Sequence, residues 1–273
     1  MDNQFSLFAA PEEPDSFTQY KQQFLALVDA GAIVVVNHSG GKDSQAMYLL
    51  MRKYVPANQL KILHADLTDD CEWIGVKDHI KNTTDGLELN VALANYKDQS
   101  SKTLLGEVQR KKKWPDAKRR WCTSDFKRGP CQREMRRMAK EHFKGGREVV
   151  ISVMGLRAQE SAARSKKPVW KDLEDLNTQN RIAYEFNPIL TMTETQVFEE
   201  IEKAGQKPHY AYGLGMDRLS CMFCVLAPAK QLALSARLNP EAAQKYVNIE
   251  AAIGHSFKTN QTLADITGVQ PSI

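Results

Sequence analysis

A chain of 273 residues, 42% hydrophobic and 26% charged, suits one large domain or a domain with a substantial appendage. No run of 18 apolar residues is present, so no membrane-spanning helix is expected. The N-terminus lacks a basic start followed by an apolar core, so no signal peptide is expected either. The net charge of +4 is uneven: Arg110 to Arg147 holds 15 Lys/Arg against four Asp/Glu, a local +11 that leaves −7 for the rest. Such a block fits a polyanionic partner or a solvated helical face. The expected compartment is a reducing cytoplasm, where five cysteines serve as thiols or metal ligands rather than disulfides.

Residues 1–15 contain two prolines and four acids and are expected to form a flexible tail. A helix is expected over Phe17 to Asp29, then a buried strand at Ala32 to Val36 and a helix from Ser44 to Lys53. Lys61 to Asp66 is a second predicted strand, Glu72 to Lys81 a helix, and Leu87 to Leu93 a third strand with alternating residues. Helices follow at Lys102 to Lys113 and from Pro130 to about Phe143, Pro130 suiting a first turn. Glu148 to Met154 is a fourth strand. Strands alternating with helices predict an α/β fold: a Rossmann-like, mostly parallel sheet flanked by helices over residues 16–190. From residue 191 to 273 the pattern turns helical, opening on a capping box at Thr193 and Gln196, and this part carries a C-x-x-C.

The stretch "NHSGGKDS", Asn37 to Ser44, falls at the carboxyl end of the first strand, where parallel sheets bind ligands. Gly40 and Gly41 let the backbone approach an anion, the following helix N-terminus favours phosphate, and Ser39, Ser44 and Lys42 add donors. Asp43 beside phosphates suits a magnesium ion. A Walker loop would need glycine at 36 and a hydroxyl residue at 43, where the chain has Val36 and Asp43.

"SGGKDS" resembles the SGGxDS pyrophosphate loop of the PP-loop ATP pyrophosphatases and their relatives, the PAPS reductases. Three more segments carry the resemblance. "LHADLTDD" is similar to the adenosine-contacting second strand, "GLRAQESAAR" to a GxRxxxS…R anion segment, and "NPILTMTETQVFEEIEKAG" to a helix in which tryptophan is common where Met192 stands. The likeness runs from about residue 30 to 226. It implies nucleotide contacts from His38, Ser39, Gly40, Gly41, Lys42, Asp43, Ser44, Asp66, Gly155, Arg157 and Arg164, with Lys42 and Asp43 at the reaction centre, and ATP and Mg²⁺ as cofactors.

Within that superfamily the cysteines discriminate. Iron–sulfur relatives carry an adjacent cysteine pair followed by Arg-Lys and Pro, then a C-x-x-C. Here Cys122 takes the first place, Thr123 the second, and Cys221 and Cys224 form the C-x-x-C. Three ligand candidates result, for a [4Fe–4S] cluster with an open iron or, alternatively, for Zn²⁺. Cys131 is a possible fourth: on one continuous helix it would face away from Cys122, and if Pro130 begins a new helix that objection lapses. Cys71 is expected to be a small buried or helix-start residue. No cysteine follows Cys224, so the E-C-G-[IL]-H nucleophile of the PAPS reductases has no counterpart.

The implied activity is ATP-dependent adenylylation with pyrophosphate release, coupled to sulfur transfer onto DNA or tRNA, as in the DNA phosphorothioation enzymes. A cysteine desulfurase would be the sulfur donor. Two alternatives stand beside it: a reductase of adenylyl or phosphoadenylyl sulfate using an external thiol, and a nucleotide-sensing protein with a structural metal site. "RKKKWPDAKRRW" interleaves seven basic residues with Trp114 and Trp121, for phosphate contact and base stacking or for core packing. "QFSLF" resembles the peptide by which bacterial replication proteins dock on the sliding clamp, with Gln4, Leu7 and Phe8 as anchors.

Overall fold

In the computed structural model the described residues are 13–272. Gln4, Leu7 and Phe8 lie outside them. The strands are β1 (Ile33–Asn37), β2 (Leu60–Asp66), β3 (Leu89–Leu93), β4 (Glu148–Met154), β5 (Trp170–Asp172) and β6 (Arg181–Phe186). They form one sheet in the order β3-β2-β1-β4-β6-β5, parallel except for β5, which runs antiparallel along β6. The main helices are α1 (Lys21–Asp29), α2 (Lys42–Met51), α3 (Val76–Thr83), α4 (Leu104–Lys111), α5 (Gly129–Phe143), α6 (Glu194–Lys203), α7 (Ala229–Leu238) and α8 (Pro240–Ile253).

β1 is apolar at four consecutive positions because both faces of a central parallel strand are covered. Val34 and Val36 enter one core, while Ile33 and Val35 enter the other. The second core is the smaller one, where Met135, Met138 and Ala139 of α5 meet the sheet. The first core also takes in Val197 and Ile201 of α6, Leu232 of α7 and Tyr246 of α8. Among the described residues, the chain beyond residue 190 therefore shares the core of the sheet domain. No helix among the described residues is long and apolar enough to cross a membrane.

The structure adds two strands and decides two open alternatives. The strands β5 and β6 were not foreseen. β5 has only three residues, and β6 is buried at every third position rather than every second, so neither shows a period of two. Trp114 is 2% exposed, stacked on Tyr246 with ring centroids 5.5 Å apart, so it is a core residue and offers no face to a base. Cys131 is also displaced. The chain is helical without a break from Trp121, through a π-helical turn at Ser124–Arg128, into α5. That continuity turns Cys131 into the second core, whereas Cys122 packs against the first.

Candidate functional site

Successive strands leave β1 in opposite directions: β2 and β3 on one side, β4 and β6 on the other. Such a switch point opens a crevice beyond the carboxyl ends of the two central strands. The loop from His38 to Gly41 fills one lip of it, and Gly155 begins the other. Asn37 ties the lips together by donating from its side-chain amide to Ser152 Oγ (2.9 Å) and the Val153 carbonyl (3.0 Å).

Two glycines are required here on geometric grounds. Gly40 has φ +76°, the left-handed region, and a β-carbon on it would meet Val76 Cγ1 at 2.9 Å. Gly155 faces the start of α2 so closely that a β-carbon would lie 2.9 Å from the Ser44 nitrogen and 3.0 Å from the Asp43 carbonyl carbon. Within the loop, Ser44 Oγ accepts from the Ser39 N–H (3.1 Å) and donates to the Gly41 carbonyl (2.8 Å), and His38 Nδ1 accepts from the Gly40 N–H (3.1 Å). His38 therefore carries its proton on Nε2. Burial, then the neighbouring His64 and His79, push its pKa down to about 3.

The charged residues do not all stand as expected. Lys42 is 1% exposed, and its ammonium lies 3.0 Å from Glu194 Oε1, 3.0 Å from the Asp217 carbonyl and 4.9 Å from the centre of the Tyr212 ring. Its side chain locks α2 to α6 and the 210–217 segment instead of crossing the loop, which corrects the expected phosphate contact. Asp43 is held by the Arg157 guanidinium. An arginine-paired carboxylate is poorly placed to ligate Mg²⁺, so the residues do not fit that ion at Asp43. Asp66 pairs with Lys77 (3.0 Å) and accepts from the Thr68 N–H (2.7 Å).

Three arginines gather at the β4 lip. Glu160 binds Arg164, takes Arg218 Nη2 at 3.0 Å, and accepts from the Arg157 N–H at 3.1 Å. Arg218, Glu160, Glu194 and Tyr212 escaped sequence reasoning. Arg218 stands three residues before Cys221, close enough to a motif to have drawn notice; the others become site residues only through folding.

Beneath the loop, His64 donates from Nδ1 to the His38 carbonyl and from Nε2 to Glu72, both at 2.9 Å. Two donated bonds require an imidazolium. Burial opposes that charge, but Glu72 outweighs it and raises the His64 pKa. His64, Asp66 and Glu72 have ligand atoms within 4.8 Å of one another. Each is already engaged by protein partners, so this group is a structural ion pair beside an aspartate rather than an open cation site.

Cys122, Cys221 and Cys224 form a second locus. Burial pushes the Cys221 thiol up to about 11, with Lys127 opposing and the charges of Cys224 and Cys122 adding to the rise. Cys122 is likewise raised by burial and by Cys224. The Lys127 pKa is raised chiefly by Cys221, then by Cys224, Glu72 and Cys122. A cation facing three thiols is suited to a site whose thiolates carry net negative charge. Tetrahedral zinc needs sulfurs about 3.8 Å apart. Among the described residues no three thiols share a 4.8 Å neighbourhood. Sulfurs placed in this way do not match a single tetrahedral zinc ion held by all three. Cys131, pushed up to about 12 by burial in the opposite core, is not part of it.

The chain is 34% identical over 123 residues to an uncharacterised 37.8 kDa protein of Escherichia phage 186, covering 45% of this chain and 35% of that one. It is 24% identical over 243 residues to an uncharacterised protein of Methanocaldococcus jannaschii, covering 89% and 54%. It thus spans about half or less of the length of these curated relatives. Among solved structures, a phosphoadenylyl-sulfate reductase from Candida auris in complex with phosphate aligns with TM-score 0.46 and 14% identity, over 80% of this chain and 98% of that one. The FMN adenylyltransferase of Candida glabrata aligns with TM-score 0.41 and 14% identity, over 78% and 65%. The phosphoadenosine phosphosulfate reductase domain family matches residues 33–227, most of the chain, and the protein belongs to that family.

Proposed function

We propose that the protein is an ATP-using sulfurtransferase that adenylylates an acceptor on nucleic acid and then replaces the activated oxygen with sulfur. One observation carries this reading: a single segment runs from the nucleotide loop to the thiols. Tyr212 Oη accepts the Lys42 N–H at 3.0 Å, Arg218 reaches Glu160 beside the loop, and Cys221 and Cys224 follow. Activation and sulfur delivery would then share one crevice.

In this mechanism the Asp43 and Ser44 N–H groups at the start of α2 and the Ser39 hydroxyl hold the β- and γ-phosphates, the Ser39, Gly40 and Lys42 amides being taken by Ser44, His38 and Tyr212, and Arg157, Arg164 and Arg218 line the opposite lip. The acceptor oxygen attacks the α-phosphorus, the bond from that phosphorus to the β-bridging oxygen breaks, and pyrophosphate leaves into the N–H and arginine donors. A sulfur nucleophile then forms its bond to the acceptor atom as AMP departs with the activated oxygen. Cys122, Cys221 and Cys224 would hold a [4Fe–4S] group, which when bound supplies a redox-active, sulfur-carrying centre. Lys127 balances the thiolate charge there. No step is assigned to Mg²⁺.

The acceptor is assigned to DNA or tRNA because Lys112, Lys118, Arg119, Arg120 and Arg128 are exposed on the approach to Cys122. Trp121 is half-buried under the Lys111 ammonium, 5.3 Å from the ring centre. A cysteine desulfurase as sulfur source and a sliding clamp engaged through Gln4, Leu7 and Phe8 belong to the same proposal. Pyrophosphate release from ATP, dependent on added DNA or tRNA, is the test; cleavage to ADP and phosphate, or none with either nucleic acid, sinks the reading. The family match favours a second reading, reduction of phosphoadenylyl sulfate by an external thiol. Sulfite formation from that nucleotide and reduced thioredoxin would establish it.

A further inference from the structure

We propose that Cys71 is the fourth thiol of the metal-holding set formed with Cys122, Cys221 and Cys224, an assignment that rests on the reading of those three as ligands. Cys71 lies in the segment after β2, fully buried, 150 positions before the C-x-x-C. Its carbonyl accepts the Met222 N–H at 2.8 Å, so the C-x-x-C turn is fastened to the backbone of Cys71 itself. The turn is held from the other side by Ser235 Oγ, which donates to the Met222 carbonyl at 2.7 Å.

A second contact joins the same two places through a side chain. Tyr246 donates its hydroxyl to Cys71 Sγ at 3.2 Å, and its ring packs 4.7 Å from that of Phe223, the residue between Met222 and Cys224. By contrast, Cys131, the remaining thiol, lies in the core on the other side of the sheet.

A buried cysteine can be mere packing, a small apolar side chain with a weak donor. A buried tyrosine hydroxyl needs some acceptor, but packing alone does not account for that acceptor being the thiol whose own carbonyl fastens the C-x-x-C turn. A ligand sulfur does: coordination deprotonates the thiol outright, and a hydrogen bond to the resulting thiolate tunes the potential of the group it holds.

The test uses the full chain purified without oxygen, with iron, zinc and acid-labile sulfide measured per chain and the visible spectrum recorded. Cys71→Ser and Cys221→Ser are each expected to lower metal content at least twofold, and Cys131→Ser to leave it unchanged. Tyr246→Phe is expected to keep the metal and shift the absorption band or midpoint potential; this variant leaves every thiol in place and guards against misfolding of Cys71→Ser. Full metal and an unaltered spectrum in Cys71→Ser, beside loss in Cys221→Ser, would overturn the assignment and leave the three-thiol site standing. An unshifted Tyr246→Phe protein counts against it too. A wild-type chain with neither iron nor zinc removes the thiol site and the assignment together.

Discussion

The nucleotide loop and the thiol site both face the segment 212–224, yet they are assembled in opposite ways. Ser39 to Ser44 is six consecutive residues between β1 and α2, and it works mainly through backbone geometry. The thiol site draws Cys122 from a helical turn and Cys221 and Cys224 from a loop beyond α6, and it works through side chains. A site built from backbone is sensitive to a single methyl group. A site built from side chains is sensitive to partner charge and tolerates change elsewhere.

The sharpest way to break that contrast is Gly155→Ala. Its β-carbon would press on the backbone of Asp43 and Ser44, which cannot turn aside as a side chain can. Overpacking of this kind costs about 1–3 kcal/mol. Displacing the loop as well should weaken ATP at least tenfold in a nucleotide titration. Cys221→Ser, measured alongside, should leave ATP affinity within twofold; an equal loss would mean that the two regions are one unit.

Next in size is Arg157→Met, which strands the Asp43 carboxylate where Arg157 itself is 4% exposed. Asp43 is 17% exposed and keeps the Lys42 ammonium at 4.0 Å, so the cost is about 1–2 kcal/mol, below that of a fully buried pair, readable as a lower urea midpoint. Arg157→Lys should recover less than half, because an ammonium lacks the planar fork.

Acid should strike the loop before the thiols. The folded His38 pKa, about 3, lies below its ordinary 6.5, so the unfolded chain takes up that proton first as pH falls. The associated stability is whole above pH 6.5 and drains as pH drops toward 3. His64 runs the other way: its raised pKa gives a contribution present below 6.5 and lost as pH climbs through the folded value. Urea midpoints measured across this range should fall on the acid side, and His38→Asn should flatten that limb. An unchanged limb would refute the assignment.

Smaller effects probe the side-chain site. Lys127 lowers the Cys221 thiol, so Lys127→Met should slow its alkylation about threefold at pH 8. The smallest effect is expected from Glu194→Gln. Glu194 is 56% exposed and Lys42 keeps the Asp217 carbonyl, so unfolding should shift by less than about 1 kcal/mol.

Legibility followed chain distance. The strand-loop-helix unit around "SGGKDS" could be read because a buried strand, a glycine pair and a helix start are neighbours in the chain. Cys122 and the C-x-x-C could be named from spacing, but their common neighbourhood could not. Cys131 failed as a candidate because an unbroken helical run, not visible in the residues around Pro130, carried it to the far core. Trp114 matched a stacking pattern and was claimed by Tyr246 instead. Lys42 had the right chemistry for a phosphate and lost it to Glu194 and Asp217, residues more than 150 positions away.

The amino-acid order alone was enough to read the parallel α/β plan and the strand-loop-helix unit that holds the anion loop, since that unit rests on residues within a few positions of one another. Only the tertiary structure decided which cations face the crevice, which core each cysteine enters and how the 212–224 segment reaches the loop. Those outcomes depend on which distant side chains satisfy a buried charge or donor, and that competition is resolved only when the whole core has packed.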